Sequence, residues 1–274
     1  MKPAPFDYCR AGSLAEAHAV LADEGGDAAV IAGGQTLVPL LSMRMARPKV
    51  LVDIMHVPEL ATITIEDGTI RVGAAVRQAE LLTSSTLKQQ PLLTEALPWV
   101  GHAQTRARGT VCGSIALADP SAELPLCLVA LRGDVALSSK GGRRNVAADD
   151  FFTGLMSTDR HDDELIEAVR FPCRRDGQGF AFREFARRHG DFAIVACAAV
   201  ANDKGVRLAI GGVADRPVAR DFDGLDGTAL DDALEAFAAD LEARDDLHAT
   251  ADYRRRLVRK LGHATIEEAR QCRA

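Results

Sequence analysis

Two short segments carry the residue types needed to hold a phosphorylated cofactor. The first is Ala32-Gly33-Gly34-Gln35-Thr36, set between an apolar run, Ala28–Ala32, and a helical stretch, Leu37–Met45. Glycine lets a backbone approach a ligand closely and adopt positive φ. The N–H groups that open a helix favour a phosphate, and Gln35 and Thr36 add side-chain donors. The second segment is Thr110-Val111-Cys112-Gly113-Ser114, with two hydroxyls flanking a glycine and Arg106 and Arg108 just upstream. Neither segment is a P-loop or a G-x-G-x-x-G turn. Read singly, each also suits an ordinary connection with no ligand. Together they suit a pyrophosphate, which needs many donors and little bulk.

Other chemistries find little support. The six cysteines are scattered without a C-x-x-C pair, which argues against a disulfide framework, a zinc site or an iron–sulfur cluster in this chain. The seven histidines are equally dispersed, so no metal centre is expected. No catalytic acid–base cluster stands out; Arg187-Arg188-His189-Gly190-Asp191 reads as a loop that shapes access to a cofactor. A formal net charge of −6 gives no electrostatic case for nucleic acid. No apolar run reaches the roughly 18–20 residues that cross a bilayer. The first residues lack the apolar core of a signal peptide, so a cytoplasmic location is expected. Aromatic residues make up only 5%, so a flat cofactor should rest mainly on backbone and aliphatic groups.

The elements that would position these segments are legible in outline. With 274 residues, two domains of about 100–200 residues are the natural expectation. Ser13-Leu14-Ala15-Glu16 has the form of a capping box, and Gly25-Gly26 ends the helix it opens. Val50–Ile54 reads as a strand, so the first fifty-odd residues alternate helix and strand. Asp67-Gly68 is a hairpin turn between Thr62–Ile65 and Ile70–Gly73. Val76–Leu82, Leu92–Leu97 and Ala122–Leu131 read as helices, and Asp134–Leu137 and Glu164–Phe171 as strands. The polar stretch Cys173–Gly179 marks a boundary. Beyond it lie three strand candidates, Phe180–Phe185, Ala193–Val200 and Val206–Gly212, then helices over Leu230–Leu241 and Ala251–Leu261. In the last helix Tyr253, Leu257 and Leu261 form the expected buried face, and the basic run Arg254–Arg256 a solvated one.

Three segments in order carry a family resemblance: Ala32–Pro39, Thr105–Pro125 and Phe182–Ala193 (FREFARRHGDFA). The chain resembles, over essentially its whole length, the FAD-binding medium subunit of the molybdenum hydroxylases, which include xanthine dehydrogenase and carbon monoxide dehydrogenase. The resemblance implies an α+β fold. Its FAD-binding domain would be of the vanillyl-alcohol-oxidase (PCMH-like) type, over 1–173, with subdomains of about 1–55 and 56–173. A C-terminal domain resembling that of the carbon monoxide dehydrogenase flavoprotein, over 174–274, would hold a three-stranded antiparallel sheet. Carried over by position, Ala32, Gly33, Gly34, Gln35 and Thr36 would hold the FAD pyrophosphate, and Thr110, Gly113 and Ser114 would close over it. Val100 and Gly101 would line the adenosine or ribityl path. Glu123 would accept from a ribose or ribityl hydroxyl, with Asp119 in the same loop. Ile166 would pack on the isoalloxazine, and Arg183 would reach the carbonyl end of the flavin.

The function implied is electron transfer. The molybdenum cofactor would sit in a large partner subunit and two [2Fe–2S] clusters in a small one, with electrons passing through this FAD to an external acceptor. A dimer of heterotrimers is the implied assembly. The alternatives are a stand-alone flavoenzyme of the same fold and a flavin-free assembly protein. Cys112 departs from the glycine usual in the second turn; its side chain must point away from the phosphates or crowd them. Arg183 departs from the more usual lysine.

Overall fold

The computed structural model describes residues 2–273. The chain begins with a small parallel sheet of β1 (Asp7–Arg10), β2 (Ala28–Ile31) and β3 (Val50–Asp53), ordered β1-β3-β2. Helix α1 (Leu14–Glu24) connects the first two strands and α2 (Leu37–Ser42) the last two. Ser13 caps α1 by accepting from the Glu16 amide, as its sequence suggests. Helix α2 is shorter than its composition predicts. Arg44 takes a left-handed conformation (φ 59°), the Met45 amide reaches back to the Leu40 carbonyl, and the Arg44 amide to Leu41. That is a Schellman stop, five residues before the chain reaches Lys49.

The second sheet holds β4 (Ile63–Glu66), β5 (Thr69–Gly73), β6 (Asp134–Ser139), β7 (Gly142–Ala147) and a long central strand, β10. Asp67 and Gly68 both have positive φ, as the two-residue β4–β5 hairpin requires. A small hairpin of β8 (Phe152–Gly154) and β9 (Ser157–Thr158) precedes β10 (Leu165–Pro172); all five strands run antiparallel in the order β4-β5-β10-β6-β7. Between β5 and β6 lie short helices: α3 (Gln78–Thr83), α4 (Pro91–Ala96), α5 (Ala103–Arg106), α6 (Val111–Leu117) and α7 (Glu123–Ala130), followed after β7 by α8 (Ala148–Phe151). Every residue of α7 is buried, which accounts for its lack of a polar face.

The third sheet has four strands, not the three expected: β11 (Gly179–Phe185), β12 (Val195–Ala201), β13 (Gly205–Gly211) and β14 (Val218–Asp223), in meander order. The fourth, Val-Ala-Arg-Asp-Phe-Asp, is an edge strand that buries only Phe222 fully, so its sequence lacks a run of apolar residues. Helices α9 (Gly227–Asp240) and α10 (Ala251–Gln271) cover one face of this sheet. Strand β12 alternates between two cores. Val195, Cys197, Ala199 and Ala201 pack with α9 and α10, while Ala196, Ala198 and Val200 join the core around α7 and the second sheet. Its small side chains follow from being covered on both sides.

The buried stripe of α10 is shifted by one residue from expectation. Arg254, Val258, Gly262, Thr265, Ile266 and Ala269 face inward, and Tyr253 lies at the flank. Arg254 is only 5% exposed. Its guanidinium donates to the Ile194 carbonyl at 2.7 Å, to the Gly212 carbonyl and to Asp246, which offsets the cost of burying a charge.

Candidate functional site

The first glycine turn lines a cleft of about 560 Å³. Ala32, Gly33, Gly34 and Gln35 form one wall, with Ile31, Val38, Pro39 and Met55 beside them. Gly34 has φ +70°, a region costly for other residues. Among the described residues, the N–H groups of Gly33, Gly34, Gln35, Thr36 and Leu37 donate to no carbonyl. Helix α2 is too short for its dipole to matter much; the capacity to bind an anion rests on this run of free amides. Thr36 makes no side-chain capping bond. Gln35 turns its amide back to the Gly33 carbonyl at 3.3 Å.

The second turn meets the first directly. A β-carbon on Gly33 would strike the Arg108 carbonyl. The second turn's own donors are largely used. Thr110 is buried and its hydroxyl accepts from the Gly113 amide at 3.0 Å, while the Ser114 amide bonds the Thr110 carbonyl. A β-carbon on Gly113 would stand 2.7 Å from Thr110 Oγ1 and force that capping hydroxyl to shift. The amide of Cys112 donates to no carbonyl, leaving it and the Ser114 hydroxyl as donors. The Cys112 thiol points the other way, into the core, donating to the Val72 carbonyl at 3.4 Å. Burial pushes it up to about 12, so it stays a thiol, and it is absent from the cleft lining.

The cleft lining is also basic, and of its basic residues only Arg108 was noted from sequence. It holds Arg77, Arg108 and His56, with Arg10 bonded to His56 at 2.9 Å. The one carboxylate in the lining, Asp53, already accepts from the Tyr8 hydroxyl and from the Met55 amide. Tyr8 is 57% exposed and presents a ring at the cleft, the aromatic contact that composition did not lead us to expect. Free amides and two arginines against a single, already bonded carboxylate fit a diphosphate. A volume of this size, with an apolar side wall, suits part of a dinucleotide.

The remaining site residues form a second group. Val100 and Gly101 sit in a turn organised by Arg106, which donates to both their carbonyls at 2.9 Å. Trp99 beside them stacks on His189 (4.9 Å between ring centroids), and Gly190 packs against His102. Asp119 accepts from the Ser121 amide, and Glu123 opens α7 at 5% exposure. Burial pushes Glu123 up to about 7. The structure sets two residues apart from both groups. Ile166 is buried in the central strand of the second sheet, within the core. Arg183 lies on the α10 side of β11 and pairs with Glu268 at 2.9 Å. Strand alternation gives the inward position to Glu184 instead. Both its carboxylate oxygens are buried with no hydrogen-bond partner, and burial followed by the Glu123 charge pushes it up to about 8. A second cavity of about 700 Å³ adjoins this group, lined by Ser121, Asp191, Phe192, Gly212, Arg244 and Arg254. No cluster of residues able to hold a metal occurs among the described residues, and no helix is long and apolar enough to cross a membrane.

Comparison with known proteins agrees with this geometry. Residues 4–174 match the FAD binding domain in molybdopterin dehydrogenase, and 180–269 the CO dehydrogenase flavoprotein C-terminal domain. The chain belongs to the FAD-binding medium subunits of the molybdenum hydroxylases. It is 41% identical to the 6-hydroxypseudooxynicotine dehydrogenase complex subunit alpha of Paenarthrobacter nicotinovorans, across 98% of this chain and 96% of that one. It is 33% identical to the carbon monoxide dehydrogenase medium chain of Hydrogenophaga pseudoflava, across 93% of both. A solved carbon monoxide dehydrogenase from Hydrogenophaga pseudoflava superposes with a TM-score of 0.94 at 32% identity, covering 100% of both chains. Quinoline 2-oxidoreductase from Pseudomonas putida 86 gives 0.91 at 36%, covering 99% of both. The medium-subunit family is a family of oxidoreductase components, and the chain is an FAD subunit of that type.

Proposed function

We propose that this medium subunit relays electrons from a partner's two [2Fe–2S] clusters to an external acceptor, with the molybdenum cofactor in a large third subunit. The observation that carries the cofactor assignment is the cleft itself, where Gly33, Gly34 and Gln35, whose amides meet no carbonyl, share the lining with Arg77 and Arg108. Bound FAD supplies a redox group that can take single electrons and give up a pair. The chain's own residues bind and orient it. Ala32–Thr36 take the diphosphate, and Thr110, Gly113 and Ser114 fix the second turn against them. Val100, Gly101, Asp119 and Glu123 are the proposed contacts for the rest of the cofactor. The absence of clustered cysteines in the sequence supports placing the iron–sulfur clusters in a partner.

The finer architecture belongs to the same reading. A vanillyl-alcohol-oxidase-type FAD domain over 1–173, divided near residue 55, and a C-terminal domain over 174–274 accord with sheets confined to 7–53, 63–172 and 179–223. A cytoplasmic dimer of heterotrimers is the proposed assembly. The test is purification of the complex from cells. A flavin absorbance spectrum with about one FAD per chain, and co-purifying molybdenum and iron–sulfur subunits, is expected. A chain that stays colourless after soaking in FAD would sink the assignment.

A further inference from the structure

One buried donor in the cleft has nothing to bind. Arg77 Nε is shielded from solvent and has no acceptor among the described residues. Its acidic neighbour Glu80 comes no nearer than 4.0 Å, to Nη1. The side chain as a whole is 44% exposed, so the charge keeps contact with water, while Nε lacks the partner that a ligand would supply.

The backbone fixes where this residue sits. Arg77 forms an isolated antiparallel bridge with Thr110. On either side of it the Gln78 amide donates to Gly109 at 2.9 Å and the Val111 amide to Val76 at 3.1 Å. The Arg77 amide itself bonds the Glu80 carboxylate at 2.9 Å. The residue is thus stitched to the second turn and lines the same cleft as Gly33, Gly34, Gln35 and Arg108. A guanidinium so placed has the fork geometry that phosphate oxygens match.

From this we infer that Arg77 is the residue that makes the cleft selective for a diphosphate, pairing with the phosphate oxygens while the 33–37 amides hold them from the other side. Arg108 adds charge from the second turn. The inference rests on the FAD assignment. Selectivity of this kind would make the cleft prefer FAD to flavins without a diphosphate, and would let ADP occupy it.

The test uses the full chain stripped of flavin and titrated with FAD, ADP and riboflavin. Arg77→Gln should weaken FAD and ADP by about ten- to a hundredfold and leave riboflavin unchanged. It should also flatten the dependence of FAD affinity on salt. Arg77→Lys should recover part of the loss, because it keeps the charge and loses the fork. FAD and ADP affinities within twofold of the unaltered chain would overturn the inference. So would a parallel fall in riboflavin binding, which is the mark of a merely structural role. Failure of the unaltered chain to bind FAD is a different result, and would defeat the assignment of the cofactor instead.

Discussion

Gly33 lies against Gly109 so closely that a β-carbon added to Gly33 would stand 2.7 Å from the Gly109 Cα. The first glycine of the turn therefore serves contact between the two turns as well as any ligand. Gly33→Ala is expected to push the turns apart, costing about 1–3 kcal/mol by overpacking. Flavin content per chain should fall with it. Gly34→Ala should cost about 1–2 kcal/mol through its positive φ, with a smaller loss of flavin. Flavin absorbance and thermal unfolding of the two variants separate these effects.

Cys112 should behave as a core residue. Its thiol is buried against the Val72 carbonyl, so alkylating reagents at pH 8 should label it only as the chain unfolds. Cys112→Ala should retain FAD and lose about 1 kcal/mol or somewhat more of stability. Acid precipitation should leave all the yellow colour in the supernatant; colour in the pellet would show a covalent link that this geometry denies.

Glu184 and Glu123 give the stability of the flavin-free chain a pH dependence of definite sign. Both carboxyls titrate higher in the folded chain, about 8 and about 7, than the 4.5 of an unburied glutamate. The folded state holds protons that the unfolded chain has released. Their contribution is full below about pH 4.5 and is lost as pH rises through 7 to 8. Asp119 adds to the rise at Glu123, while Arg106 opposes it. Glu95, which accepts from the Phe182 amide, is raised by burial as well. Glu184→Gln should flatten the decline in unfolding temperature between pH 5 and 8.5, and raise that temperature at pH 8.5 by several degrees, on the order of 2–4 °C per kcal/mol regained. An unchanged pH profile in the variant would refute the assignment.

Arg207 ties the third sheet to the rest of the chain. It is 9% exposed, grips Asp149 of α8 with two bonds of 2.8 Å, and donates to the Val129 carbonyl of α7 at 3.3 Å. Asp149→Ala should cost about 1–3 kcal/mol in urea unfolding, because it leaves the largely buried guanidinium with only its 3.4 Å contact to Asp221 as a charged partner. Arg207→Met should cost less, since it removes the charge along with its need for a partner.

The chain's sequence made some of this legible and hid the rest for physical reasons. The two turns stood out because glycine and small hydroxyl residues interrupt apolar runs. Strands β1, β7 and β14 escaped notice because edge strands with exposed, polar side chains carry no apolar alternation. The phase of α10 was misjudged because Arg254 reads as a surface residue, yet two backbone carbonyls and the Asp246 carboxylate hold it inside. At β11 the error was one of parity: Arg183 and Glu184 are adjacent, and only the sheet decides which faces inward. Arg77 has no local signal at all. Its importance comes from a bridge to a residue thirty-three positions away.

Strand β12 sets a limit on how the cofactor can be approached. Alternate residues of this one strand are sealed on opposite sides, Cys197 under α10 and Ala198 toward α7. Swinging the last hundred residues away as a rigid lid would peel Ala196, Ala198 and Val200 off the core and expose apolar surface that has no other cover. Such a door stays shut. Gly190–Phe192 and Gly212–Ala214, which line the second cavity, lie outside that seal. The cofactor is therefore enclosed by a frame whose two cores share one strand, and its access is a matter of the surface around that frame.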